Sequence, residues 1–475
     1  MEGERSNGMI KLDKWGYPIN TSSDDCISAI NSYYHQILEY GRKRSVILEA
    51  VHHDQNCVLA NILAAHLLSA TDPSKVPFHL NSAKSQLQHA TSYEKAVFEV
   101  VSYLLSKDRD DDVAVDLHFK LLRQFPRDLV SLKRAQILCF YMARPDISLD
   151  LAEQVLPHNQ EESYIYGLLA FPLLELDRMV DAEEAARKGL EIYKYDLWSQ
   201  HNLCHVLQYK CQFKEATEFM EECSLSWSCS SFMYTHNWWH VALCYLDGHS
   251  PLSKVLEIYD NRIWKELQRS DAVSAEVYLN ALALLLRLDV RGQMDAVEDR
   301  LELLADCVTD QSVWHVEWHL DLLILWALAK TNRLKIAENL LNAKKLRLSS
   351  MSMKKQQSMH KGIKLAEAVY EYGRSNYKRA LELLTPNFDA NNCKIIGASG
   401  EQIDVFNEVW YIVLLNSGQV LKAIEEIEKR IEKTEGIPFL WRLLERGYRL
   451  AARKDATVIS EKARNLEAAY FEQSV

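Results

Sequence analysis

At 475 residues the chain is longer than one compact core sustains, so it is either several domains or an elongated repeat array. Hydrophobic residues at 48% and charged residues at 25% suit a chain folded along its length, while only 15 glycines and 10 prolines disfavour a turn-rich β protein. A net charge of −11 with no long basic run argues against a nucleic-acid partner, no segment approaches a membrane span, and ten cysteines without a C-x-x-C pair read as thiols of a reducing compartment. The expectation is a cytoplasmic protein with neither nucleic acid nor membrane as partner.

From the N-terminus, DDCISAINSYYHQILEYG (Asp24 to Gly41) has polar residues ahead of an apolar helical periodicity and a glycine at its end, which predicts a helix with both ends marked. In VHHDQN, Asp54 or Asn56 reads as the N-cap of the next helix, Cys57 to Pro73, which is apolar on nearly every face. A repeat follows. Ala182, Ala216, Ala337, Ala380 and Ala423 each come three residues after an apolar one, with one or two polar residues between, and apolar residues at helical spacing follow them. Ala114 belongs to the same series, with Ser148, Val255 and Ala296 as intermediate members.

The separations, 34 from Ala182 to Ala216 and 43 from Ala380 to Ala423, match the tetratricopeptide period with lengthening turns. A small residue early in the second helix of each hairpin lets the first helix approach closely, and stacking neighbours buries faces that one hairpin leaves bare. Pro126 stops the second helix keyed by Ala114, and Gly418 marks the turn before Ala423. Asn387 to Gln402 carries loop chemistry. The predicted class is an all-α α-solenoid of nine or ten stacked antiparallel helical hairpins, tetratricopeptide-like. Residues 1–92 form an N-terminal helical segment packed on the array, 93–390 the array itself, and 391–475 a C-terminal repeat and capping helices continuous with it.

Counting the small residue as position twenty of its unit, positions two, five, nine and twelve of the first helix face the concave groove. They are Trp198, His201, His205 and Gln208 in the unit of Ala216, Asn237 and His240 in that of Val255, and His319 in that of Ala337. His236 and His315 fall near or before helix starts and stay outside this stripe. The reading is a scaffold that binds a protein or peptide segment, or a small ligand, in a groove lined by His, Asn and Trp, with no cofactor.

The alternative is a His-dependent, metal-assisted hydrolase-like enzyme in the same groove, with His201, His205 and His240 as ligands, because an i, i+4 pair aims two imidazoles at one point. H-E-x-x-H is missing and Gln208 stands where a carboxylate would accompany the first pair, so the binding module is preferred. The oligomeric state is left open.

The stretches THNWWHVALCYLDGHSPLSKVLEIYD (Thr235 to Asp260), DLWSQHNLCHVLQYKCQFKEATEFMEE (Asp196 to Glu222), DKWGYPINTSSDDCISAINSYYHQILEY (Asp13 to Tyr40) and GEQIDVFNEVWYIVLLNSG (Gly400 to Gly418) resemble the tetratricopeptide repeat protein 38 family. The resemblance spans nearly the whole chain, with H-N-x-W-H as its specific block. It implies an all-helical single array used as a binding scaffold, and an acidic residue three positions after His205, where this chain has Gln208.

Overall fold

The computed structural model describes residues 10–384 and 387–472. Contacts divide the chain into two compact units, one ending at Asn202 and the other beginning at Leu203. Both are built of antiparallel helical hairpins, the all-α stacked-hairpin class. Among the described residues the only strands are β1 (Ile10–Leu12) and β2 (Pro18–Asn20), antiparallel with Ile10 opposite Asn20. None of the described helices is long and apolar enough to cross a membrane.

One turn closes hairpin after hairpin. Ala143, Asp177, Cys211, His249, Gly292, Asn332, Ser375, Gly418 and Ala452 all have positive φ, spaced 34, 34, 38, 43, 40, 43, 43 and 34 residues apart. The amide after each donates to the carbonyl five residues back at 2.7 to 2.9 Å, from Arg144 to Cys139 through Arg453 to Tyr448, which satisfies the last carbonyls of the first helix.

Five residues beyond the turn sit Ser148, Ala182, Ala216, Ala337, Ala380 and Ala423, all buried, as is Val255 six beyond. Ala296, placed in this series from the sequence, is exposed, and buried Val297 takes its role. The described residues form twelve successive helix pairs against the nine or ten expected, because Asp24–Leu38 with Val46–His53 and Val58–Thr71 with Val76–Gln86 pair as well.

Two local expectations need correcting. The helix Val58–Thr71 is capped by Cys57, whose sulfur accepts from the Ala60 amide, whereas Asp54 accepts from the Asn56 amide and the Thr21 hydroxyl. The segment Asn387 to Gln402 is not all loop: Ala390–Ile396 is a 3₁₀ helix ended by Gly397 at φ +79°, and a helix starts at Gly400.

In the first unit α1 (Asp24–Leu38) packs on α2 (Leu129–Tyr141). Lys133 of α2 donates to the Ile37 and Leu38 carbonyls at 2.6 and 3.1 Å, with its ammonium 3.2 Å from the Tyr40 ring centroid. An amine donor is thus set on the carbonyl end of α1, where the helix dipole favours positive charge, while burial pushes it well below the ordinary lysine value.

The helix α3 (Leu197–Tyr209) contains the division between the units. In the second unit α4 (Phe232–Asp247), α5 (Ser274–Val290) and α6 (Trp318–Lys330) are buried along most of their length, and a helix apolar on every side needs cover on every side. For α5 that cover includes α7 (Gly400–Asn416). Two arginines one turn apart, Arg287 on α5 and Arg291 at its C-cap, fasten it. Arg287 donates to the Glu401 carbonyl at 2.5 Å, and Arg291 pairs with Glu408 of α7 at 2.8 Å and Asp247 of α4 at 2.6 Å. The inner face of this unit is therefore occupied by the chain's own helix.

Candidate functional site

Trp198, His201, His205 and Gln208 follow one another down α3 at spacings of three, four and three, a single helical stripe. Asp196 starts this helix by accepting from the Trp198 and Ser199 amides, and burial pushes its carboxyl up to about 6 against those two hydrogen bonds. Trp198 and His201 belong to the first unit. Their rings stack at 4.7 Å and 4°, and Trp198 also leans on Phe171 and Tyr40. His205 and Gln208 belong to the second unit.

There the geometry converges. The rings of His205 and His240 lie 4.4 Å apart, and a carboxylate joins them: Glu401 Oε2 stands 2.6 Å from His205 Nδ1 and 3.5 Å from His240 Nδ1. His240 Nδ1 also donates to Gln208 Oε1 at 2.8 Å, an oxygen that accepts from Cys204 Sγ at 3.7 Å as well. Glu401 occupies the first turn of α7, where the helix dipole favours an anion, and a capping box between Ser399 and Gln402 fixes the start of that turn. Arg287 holds its backbone from the side of α5.

His236 is the neighbour that the sequence reading left out. Because α4 begins at Phe232, His236 lies a full turn inside it, stacked between Phe232 and Trp239 and edge-on to His240 at 4.9 Å. The Asn280 amide nitrogen donates to Thr235 Oγ1 and the Glu276 carbonyl, so its oxygen must be the acceptor for His236 Nδ1 at 2.9 Å. The hydrogen therefore sits on Nδ1, and Nε2 is the basic nitrogen. Burial drives this imidazole down to about 4, opposed by the Asn280 bond, so it is neutral near pH 7.

Asn237 is fully buried on α4. His319, second residue of α6, stands apart from the pair, edge-on to Phe406 at 6.2 Å, with neither ring nitrogen hydrogen-bonded among the described residues. Burial, with His236 and Arg287 adding to it, pushes it down to about 3. Nearby in sequence, Asp321 makes a buried ion pair with Lys344, accepts from the His315 amide, and leaves the Lys344 ammonium 3.6 Å from the Trp318 ring. That group braces the start of α6. His201, Gln208, Asn237, His240 and His319 are all between 0 and 6% exposed.

Sequence reasoning missed Glu401 and His236. The signal for Glu401 was limited to Ser-Gly-Glu-Gln, a helix start; nothing local says which helix it meets. His236 was missed by placing the start of α4 too late.

The class is thus an all-α stack of tetratricopeptide-like hairpins with an imidazole–carboxylate cluster inside its second unit. No protein-family model matches the chain. Among solved structures it is similar to a monomeric mutant of IFIT1 with Gppp-AAAA, at 12% identity and a TM-score of 0.40 over 91% of this chain and 95% of that one. It is also similar to the human IFIT1 dimer with m7Gppp-AAAA, at 14% identity and a TM-score of 0.38 over 95% and 92%.

One expectation is corrected here. Those IFIT1 structures are with Gppp-AAAA and m7Gppp-AAAA, and the exclusion of nucleic acid drawn from net charge is withdrawn.

Proposed function

We propose that the chain is a tetratricopeptide-like binding protein whose second unit holds a small polar ligand at His205, His240 and Glu401. The observation that carries this reading is the delivery of Glu401 by α7 onto two imidazoles carried by α3 and α4. Of the two occupants expected for the groove, burial favours the small ligand, since an extended peptide needs side chains it can reach. Buried polar groups that pair with one another instead of with backbone are a recurrent mark of binding and catalytic sites. The resemblance to the tetratricopeptide repeat protein 38 family, a cytoplasmic setting and the layout 1–92, 93–390 and 391–475 belong to the same proposal.

Native mass spectrometry of the purified full chain tests it. The expected result is a bound species in the wild type that leaves in His205→Ala/His240→Ala while the circular dichroism holds. Identical spectra for the two proteins would overturn it.

A second reading, a His-dependent hydrolase-like enzyme, draws on the 2.6 Å His205–Glu401 pair, which is how a carboxylate orients a general base. Under that reading Glu401→Gln abolishes turnover of a panel of ester and amide substrates, and a wild type inactive on the whole panel counts against it.

A further inference from the structure

We infer that His205, His240 and Glu401 form a binding site for a divalent transition-metal ion of the zinc class. This rests on the proposed function and names the ligand.

The first ground is donor spacing. Ligand atoms at about 2.0–2.2 Å from a tetrahedral ion stand roughly 3.3–3.5 Å from one another. Glu401 Oε2 lies 2.6 Å from His205 Nδ1 and 3.5 Å from His240 Nδ1. Loss of the proton between His205 and Glu401 and of the one His240 Nδ1 donates to Gln208, with the short pair opening by about 0.7–0.9 Å, turns the hydrogen-bonded set into a coordinating one.

The second ground is donor chemistry. Two imidazoles and one carboxylate match zinc and its neighbours, whereas calcium and magnesium demand oxygen ligands. Two-His-one-carboxylate is moreover the set that leaves a coordination position open.

The third ground is the amide beside the ligands. Gln208, 6% exposed, turns its amide oxygen to the cluster at 2.8 Å from His240 Nδ1 while its Nε2 has no hydrogen-bond partner among the described residues. A buried amide nitrogen without an acceptor costs about 1–3 kcal/mol. That oxygen takes the His240 Nδ1 proton in the metal-free state, and coordination at Nδ1 releases the proton and frees the amide to turn its nitrogen toward an acceptor, which relieves this cost.

The scaffold is preorganised. Arg287 and Arg291 lock α7 to α5 through Glu401 and Glu408, so Glu401 arrives on rigid helices instead of a loop.

The test is metal content and zinc titration of the full-length chain. As-purified protein is analysed for metal, then stripped by chelator dialysis and titrated with Zn²⁺ against a fluorescent zinc chelator. Expected are one equivalent of zinc per chain, affinity weakened at least about tenfold in His205→Ala and in His240→Ala, and a smaller loss in Glu401→Gln. Magnesium and calcium do not compete.

Should the alanine variants fail to fold, Co²⁺ added to the stripped wild type reads the same site directly: intense visible d–d bands support three-ligand tetrahedral binding, and their absence overturns it. Sub-stoichiometric zinc, or unchanged affinity in the folded double variant, also overturns the inference. If no metal binds but native mass spectrometry shows an organic ligand that leaves in the double variant, the metal inference falls and the binding reading stands. With neither, both fall.

Discussion

The two units bury polar groups in different ways. In the first, many such groups serve backbone: Lys133 holds the carbonyl end of α1, Asp128 caps α2 through the Ser131 amide, Glu94 accepts from the Thr91 and Asn20 amides, and Asn159 donates to the Val155 and Pro126 carbonyls, beside side-chain pairs such as Tyr93 with Asp128 and His79 with Asn61. In the second, they serve one another across helices: His205 with Glu401, His240 with Gln208, His236 with Asn280, and Arg291 with Asp247 and Glu408. A side chain spent on a helix end is accounted for by the fold. Side chains that meet other side chains need pairing that the helices alone do not require, and there a function has room to sit.

The comparison can be broken most sharply at the arginine clamp. Arg291→Met leaves Asp247 buried without its ion-pair partner and Glu408 with Arg287 alone at 3.6 Å, which costs about 3–5 kcal/mol. Hydrogen exchange read peptide by peptide should show the loss in α5 and α7 and little change in α2. An equal loss in both units would mean that the units unfold as one.

The matching change in the first unit is smaller. Lys133→Met strips two carbonyls of their donor, at about 1–3 kcal/mol, and exposes the amides of α1 to exchange while α7 keeps its protection.

Acid should separate the units by a similar amount. His319 has its folded pKa at about 3, below the ordinary value of 6.5, so between those values the unfolded chain binds a proton that the folded chain refuses. Stability from this group is full above pH 6.5 and falls as pH drops, by on the order of 2 kcal/mol at pH 5. His236, lowered to about 4 by burial, adds a similar loss, and Asp247, raised to about 6 by burial against Arg291, gives part of the total back between pH 6 and 3.8.

In the first unit His66 and His118, both lowered to about 3 by burial, face Asp13 and Asp196, both raised to about 6 by burial, with Asp128 and Glu94 also raised. Groups of the second kind stabilise on acidification. Urea midpoints at pH 7 and 5, followed by exchange in each unit, should show the second unit more acid-labile; the reverse order would count against the assignment of His319 as a neutral buried imidazole.

The smallest effect lies in the turns, where the units agree. Ala143→Gly and Ala452→Gly relieve a left-handed alanine, at about 1–2 kcal/mol of strain, against roughly 0.5–1 kcal/mol of added unfolded-chain entropy. A gain of a few tenths of a kcal/mol in thermal unfolding is expected at each, and a loss would show that Cβ packing there outweighs strain.

Much of the fold was legible because its determinants are local. The small residue five after each turn must be small wherever it falls, so Ala182, Ala216, Ala337, Ala380 and Ala423 could be found by eye. The turns were harder to read, since only Gly292 and Gly418 announce a positive φ and the other seven positions use ordinary residues. Of the candidate site, the stripe on α3 and His240 on α4 came from helical spacing. His236 was lost to an error of a few residues in a helix start. Glu401 lies 196 residues from His205, and no periodicity spans that distance.

By itself, then, the amino-acid order determined helix, turn and hairpin, because hydrogen bonds between residues four or five apart and the size of one buried side chain decide them within a single repeat. Only the tertiary structure decided that the inner face of the second unit is covered by α7 and that a carboxylate closes on two imidazoles. That outcome depends on which buried faces and ion pairs find each other after the hairpins have stacked, and the energy of those encounters is written in no one segment.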